Sequence, residues 1–258
     1  MYTGLYAAVS GSLAQEKRLA IQTNNLANAN TVGFKADQPV FAVEPLPIVA
    51  EAKSASLSTP LRLTLLNPLQ GRDSVQTSLS TVVTDFDQGD IRQTGNPLDL
   101  ALEGRGFLVV QTPAGVAYTR QGTLSLNAGG TLVTQSGLPV LGTNGPIQIS
   151  GGTPQISPNG QVVVNGAPVG QLQVVDFPQP YALAKQGDVL FRPLDPTLQP
   201  VAANAVVRQG SLETANAQPV RLLLSVMESS RAYEAYQRVI QAFNDIAGRA
   251  VNDIAGRA

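Results

Sequence analysis

From Leu222 onward the apolar residues keep a coiled-coil rhythm. Leu222, Val226, Ser229, Tyr233, Tyr236, Ile240, Phe243 and Ala247 recur at alternating intervals of four and three. That is the a/d seam of a helix built to lie along another helix. Pro219 fits the first turn of such a helix, where its missing N–H costs nothing. At the opposite end of the chain a second helix pattern contains no proline. Tyr2, Tyr6, Val9, Leu13 and Ala20 fall on one stripe, with Leu5, Leu19 and Leu26 beside it, and Glu16, Lys17 and Arg18 interrupt it once. It stops at Asn28-Ala29-Asn30-Thr31-Val32-Gly33, residues suited to a helix stop and turn. At about 1.5 Å per residue, each helix is expected to be roughly 40 Å long, so the two can pair along their length.

Between the two ends lies a middle, residues 34–210, that holds nearly all the glycine and proline. Its runs are short: Phe107-Leu108-Val109-Val110-Gln111, Val116-Ala117-Tyr118-Thr119, Thr123-Leu124-Ser125-Leu126 and Thr131-Leu132-Val133-Thr134. Each is closed by Gly, Asn or Pro, the spacing of hairpins in an antiparallel sheet or barrel. Asn159-Gly160 and Asn165-Gly166 are turn signals flanking one more strand, Gln161-Val162-Val163-Val164. Residues 44–80, with Pro45, Pro47, Pro60 and Pro68, are less regular and read as an extended connector or small hairpin. The predicted class is α+β: terminal helices forming a coiled-coil-like pair, with a β-rich middle of antiparallel strands.

Periodicity alone leaves two arrangements open. The helices close a single protein as an antiparallel hairpin, or their stripes also bind other copies. Wide apolar coverage with no companion helix leaves surface uncovered, which favours assembly. The tail repeats itself, Asn244-Asp245-Ile246-Ala247-Gly248-Arg249-Ala250 returning as Asn252-Asp253-Ile254-Ala255-Gly256-Arg257-Ala258. A period of eight turns a helical face by about 80°, so the repeat does not extend the seam. Gly248 and Gly256 weaken the helix there, and the tail is expected to fray.

Composition narrows the chemistry. The chain has no histidine, cysteine or tryptophan, and its net charge is −1. Without His and Cys the usual zinc sites, haem ligands, thiol nucleophiles and Ser-His couples are excluded. No basic stripe marks a nucleic-acid partner. Gly104-Arg105-Gly106 lacks the third glycine of a dinucleotide loop, since position 109 is Val. Asp85-Phe86-Asp87-Gln88-Gly89-Asp90 resembles the start of a calcium loop but inverts its fifth and sixth positions and has Asn96 at the twelfth. Asp99 and Glu103 offer a glycosidase pair only if the fold joins them. The expectation is no catalytic residues, no cofactor, no metal and no small-molecule substrate. The opening Met-Tyr-Thr-Gly-Leu-Tyr lacks the pattern of a secretory signal, and no run is long enough to span a bilayer. The chain is therefore expected in the cytosol, or outside it by a route that cleaves no signal.

Several segments, in order, resemble the flagellar rod and hook family. They are Leu5-Tyr6-Ala7-Ala8-Val9-Ser10-Gly11-Ser12-Leu13 with Asn24-Asn25-Leu26-Ala27-Asn28 and Gly33-Phe34-Lys35; Asp85 to Ile91 leading through Thr94-Gly95-Asn96-Pro97-Leu98-Asp99 to Gly106-Phe107; Tyr118-Thr119-Arg120-Gln121-Gly122; Gln209-Gly210-Ser211-Leu212-Glu213-Thr214-Ala215-Asn216; and Arg231-Ala232-Tyr233-Glu234. The chain departs from the family pattern at Asn216-Ala217-Gln218-Pro219-Val220-Arg221, where a Ser-Asn-Val segment is more usual.

The resemblance implies an N-terminal axial helix over 1–33, a connector over 34–90, a β-rich outer domain over 91–210 and a C-terminal axial helix over 211–258 pairing with 1–33. It implies a subunit of the basal-body rod that polymerises through these helices, most like the proximal-rod type with the distal-rod type next. Its partners would be its own copies, other rod proteins and the flagellar export apparatus. Its location would be the rod in the periplasmic space, reached without cleavage of a signal peptide. Leu5, Tyr6, Val9, Leu13 and Leu26 would then pack with Leu222, Val226, Tyr233, Tyr236, Ile240 and Phe243, within and between subunits. The amides of Asn24, Asn25 and Asn28 would satisfy backbone groups at the helix end and contact a neighbour. From another class, a secreted β-rich adhesin whose helices merely close the domain predicts a stable monomer.

Overall fold

The computed structural model describes residues 2–45, 75–187 and 189–255. Helices stand at both ends of the chain and every paired strand between them is antiparallel, an α+β fold. The chain divides into two units. One comprises residues 1–26, 37–84 and 220–258, and the other comprises residues 27–36 and 85–219.

The first unit contains helix α1 (Tyr2–Ala27), strands β1 (Asp37–Pro45) and β2 (Val75–Thr84), and helix α2 (Pro219–Ala255). The helices run in opposite directions, with Gly4 beside Phe243 and Gln22 beside Ser225. α1 starts without a proline and α2 starts on one, as helix-start chemistry allows. α2 has 37 residues, about 56 Å at 1.5 Å per residue, so it is longer than the 40 Å expected from its seam. The helix continues through Gly248 because one exposed glycine costs only about 1 kcal/mol of helix propensity. The expected fraying is thus not seen up to Ala255, and the end of the second repeat lies outside the described residues. β1 and β2 form a two-stranded ribbon in register from Asp37↔Thr84 to Pro45↔Val75, with a bulge between Val40 and Phe41. It occupies part of the predicted connector; Pro47, Pro60 and Pro68 lie outside the described residues.

The second unit is built around a six-stranded sheet. Its order is Leu183–Lys185, Leu190–Pro193, Gly115–Thr119, Phe107–Thr112, Val174–Asp176, Val201–Ala202. The Phe107-Leu108-Val109-Val110 run explains why Phe107–Thr112 sits inside that sheet. Successive side chains point to opposite faces, and here both faces are buried. Leu108 and Val110 join Leu100, Leu132, Val140 and Val162 in one apolar cluster. Phe107 and Val109 join Tyr118, Phe177 and Phe191 in another. The Phe107 ring centroid lies 5.6 Å from Phe191 and 5.7 Å from Tyr181, edge to face, the orientation that aromatic quadrupoles favour. Asn165-Gly166 turns Gln161–Val164 into Ala167–Gln171, with Asn165 at φ 51° and Gly166 at φ 82°, as a type I′ hairpin requires. Asp99 and Glu103 go separate ways. Asp99 accepts hydrogen bonds from Thr94 and Asn96, which fixes the Thr-Gly-Asn-Pro-Leu-Asp turn, and Glu103 pairs with Arg208 at 2.5 Å on the surface.

Candidate assembly surface and a buried ion cluster

The seam of α2 meets α1 on a side that differs from the predicted apolar stripe. A Cβ added to Gly11 would come 2.5 Å from the Tyr236 ring, and one on Gly4 would come 3.0 Å from Phe243. Ala8 and Ser12 are buried between them, and Gln237 donates to the Ser12 hydroxyl at 3.2 Å. Small residues let the two bulky rings approach the helix backbone closely, so the aromatic positions of α2 choose that face. The seam also carries a polar key. Buried Gln22 donates to the Ser225 hydroxyl at 2.6 Å and accepts from Ser229 at 2.9 Å. Ser229, which interrupts the apolar seam in sequence, is therefore a hydrogen-bonding position that fixes register. Gly11→Leu is expected to cost about 1–3 kcal/mol through overpacking against Tyr236. The helical circular-dichroism signal should melt earlier in this variant, and an unchanged melt would show that Tyr236 does not pack there.

The predicted interface residues fall into three groups. Tyr6 (64 % exposed), Val9 and Leu13 (50 %) project from α1 away from any apolar cover within the chain. Leu5, Leu26, Leu222, Val226, Tyr233, Tyr236, Ile240 and Phe243 are half-buried. Asn25 is buried, and its amide clamps the first residue of β1, donating to the Asp37 carbonyl at 2.7 Å and accepting from the Asp37 N–H at 2.9 Å. Asn28 accepts from the Thr31 hydroxyl in the turn after α1, whereas Asn24 is exposed. The structure also reveals a stripe that the seam hides. Val220, Leu223, Leu224 and Met227 are all exposed, up to 73 % at Val220. Their spacing of i, i+3, i+4 and i+7 marks one helical face, and the same spacing in the sequence was the signal available to find it.

In the second unit, three segments of the family-like pattern converge on one buried cluster. Lys35 Nζ donates to Glu213 Oε1 at 2.6 Å, and Arg120 Nη1 donates to Glu213 Oε2 at 3.1 Å. All three side chains are 4 % exposed or less. Backbone carbonyls satisfy the second cation: Lys35 also reaches Asp87 O at 2.7 Å, and Arg120 reaches Leu102 O and Gly104 O. The Arg120 guanidinium lies 5.4 Å from the Phe107 ring centroid, joining the cluster to the aromatic core. Burial pushes the Lys35 ammonium below the ordinary lysine range, and Glu213 opposes that shift. Gly33 makes the approach possible. It has φ 70°, its N–H donates to Glu213 O at 2.8 Å, and an added Cβ would lie 2.5 Å from the Arg120 carbonyl. Lys35, Arg120 and Glu213 look like separate surface charges in sequence, and only strand pairing unites them. Enclosed on all sides, the cluster is organised to hold backbone segments rather than to meet a substrate.

Two helical ends with unpaired apolar stripes around an antiparallel β unit describe a structural, axial type of subunit. Comparison with known proteins agrees. A model described as "Flagella basal body rod protein" matches residues 5–35, the "Flagellar hook protein FlgE/F/G D1 domain" matches 101–164, and the "Flagellar basal body rod FlgEFG protein C-terminal" matches 208–253. The chain is 33% identical to the flagellar basal-body rod protein FlgF of Caulobacter vibrioides, over 97% of both chains. It is 32% identical to the flagellar hook-basal body complex protein FlhO of Bacillus subtilis, over 98% of both. It is 30% identical to the flagellar basal-body rod protein FlgG of Borreliella burgdorferi, also over 98% of both. The chain belongs to the flagellar basal-body rod protein family. Its relatives are structural rod proteins, and among the described residues no helix is long and apolar enough to cross a membrane.

Proposed function

We propose that this chain is a structural subunit of the flagellar basal-body rod that polymerises through its terminal helices and catalyses nothing. The observation that carries the proposal is the pair of exposed stripes, Tyr6-Val9-Leu13 on α1 and Val220-Leu223-Leu224-Met227 on α2. A helix facing only water has no use for a leucine row. Rows on both helices, beside a seam whose residues are only half-buried, supply contact faces for further helices. In this reading the seam pairs α1 with α2 in a coiled-coil manner, and the stripes receive neighbouring copies and other rod proteins.

We place the subunit in the proximal rod, with a likeness of 33% to an FlgF over nearly full length as support. Likeness of 30% to an FlgG makes the distal rod the second reading. The location is the basal body, within the periplasmic span, and delivery is by the flagellar export apparatus without a cleaved signal. The test is to delete the gene and image basal bodies. A rod that stops near the inner membrane is the expected result. A rod that stops after a proximal stretch would move the subunit to the distal rod, and full-length rods with normal swimming would overturn the function.

A further inference from the structure

Residues 27–36 belong to the second unit, yet among the described residues none of them joins either of that unit's apolar clusters. What holds them is polar and comes from far along the chain. Glu213 grips the Lys35 ammonium with its carboxylate and the Gly33 N–H with its carbonyl. The two members of the Lys35–Glu213 pair are 178 residues apart. Asn216 works in parallel. Its Oδ1 accepts from the Ala36 N–H at 2.8 Å, its Nδ2 donates to Asp85 O at 2.9 Å, and its own N–H donates to Phe34 O at 3.4 Å. Lys185 closes the outside, donating to the Lys35 carbonyl at 2.5 Å with its ammonium 4.3 Å from the Phe34 ring centroid.

We propose that residues 27–36 form a strap, fastened by a clasp made of Glu213 and Asn216, that opens as one piece while the sheet stays folded. A segment held by a few polar side chains and absent from the apolar clusters can leave without opening a cavity in either core. Such a segment is the kind of local cooperative unit that exchanges its amides independently of global unfolding. Released, the strap becomes a free tether joining α1 to β1, so the clasp sets whether the N-terminal helix is on a short or a long lead. The departure from the family pattern at Asn216 leads directly into this clasp. The strap stands on the second unit's own geometry and does not depend on the polymerisation reading.

Hydrogen–deuterium exchange on the full-length chain tests it, with Glu213→Gln and Asn216→Ala as separate variants. Peptides covering 27–36 should exchange at least tenfold faster in both variants, with peptides covering 107–119 unchanged. Unchanged exchange in the strap, or equal acceleration of strap and sheet, would overturn the proposal. If Glu213→Gln does not fold, Asn216→Ala decides the matter by the same two criteria.

Discussion

Glu213→Ala should destabilise the chain by about 3–5 kcal/mol, the usual cost of removing one partner from a buried ion pair. The reason is the asymmetry of the cluster. Two cations share one carboxylate, and both are almost wholly excluded from water. Their carbonyl partners at Asp87, Leu102 and Gly104 carry only partial charge. Alanine also leaves the Gly89 N–H without the Glu213 Oε1 acceptor that lies 3.1 Å away. Urea unfolding followed by the fluorescence of the tyrosines checks this, since Tyr118 and Tyr181 lie in the aromatic cluster beside Arg120. The informative control replaces charge with packing. Lys35→Met combined with Glu213→Leu should recover part of the loss, because apolar residues of similar volume often substitute for buried ion pairs at little cost. A Glu213→Ala midpoint equal to that of the parent chain would mean that water reaches the cluster.

The parts of this molecule that were legible in sequence are those written in local spacing. The seam from Leu222 to Phe243 gives a helix because its period is local, and Asn165-Gly166 gives a turn because one residue pair determines it. The Phe107 to Val110 run reads as a strand, although its burial on both faces depends on what packs above and below. Tertiary proximity was not legible. Gly4 and Gly11 look like weak points in a helix, and their use as seats for Phe243 and Tyr236 appears only when α2 lies across them. For the same reason the Tyr6, Val9 and Leu13 side, expected to pack both within and between subunits, meets no α2 residue of the seam in its own chain. Lys35, Arg120 and Glu213 sit in three of the family-like segments, yet their purpose stays hidden because 93 to 178 residues separate Glu213 from its partners. The irregular entry to α2 had a hidden use as well: Asn216 ties down the strap and the helix still begins at Pro219.

Leu13→Asp and Leu224→Asp should each abolish incorporation into the rod while leaving the subunit folded. Both side chains are at least half exposed, so a carboxylate there stays in water in the isolated chain. In an assembly the same side chain would be covered. Each leucine loses about 1.5–3 kcal/mol of burial, and the new charge adds the cost of desolvation without a partner. Since about 1.4 kcal/mol is tenfold in affinity, a single change weakens each contact by roughly a hundredfold. A polymer made of one repeated contact multiplies the defect. Single substitutions at exposed positions usually move stability by less than about 0.5 kcal/mol, so the thermal melt serves as the control for folding.

The most direct measurement is to express Leu13→Asp and Leu224→Asp separately in a deletion strain, confirm folding and export, and purify basal bodies. The expected result is rods that lack the subunit and cells that do not swim, from variants that melt like the parent chain. Variant subunits incorporated at parental levels in swimming cells would contradict assembly through the exposed helix stripes.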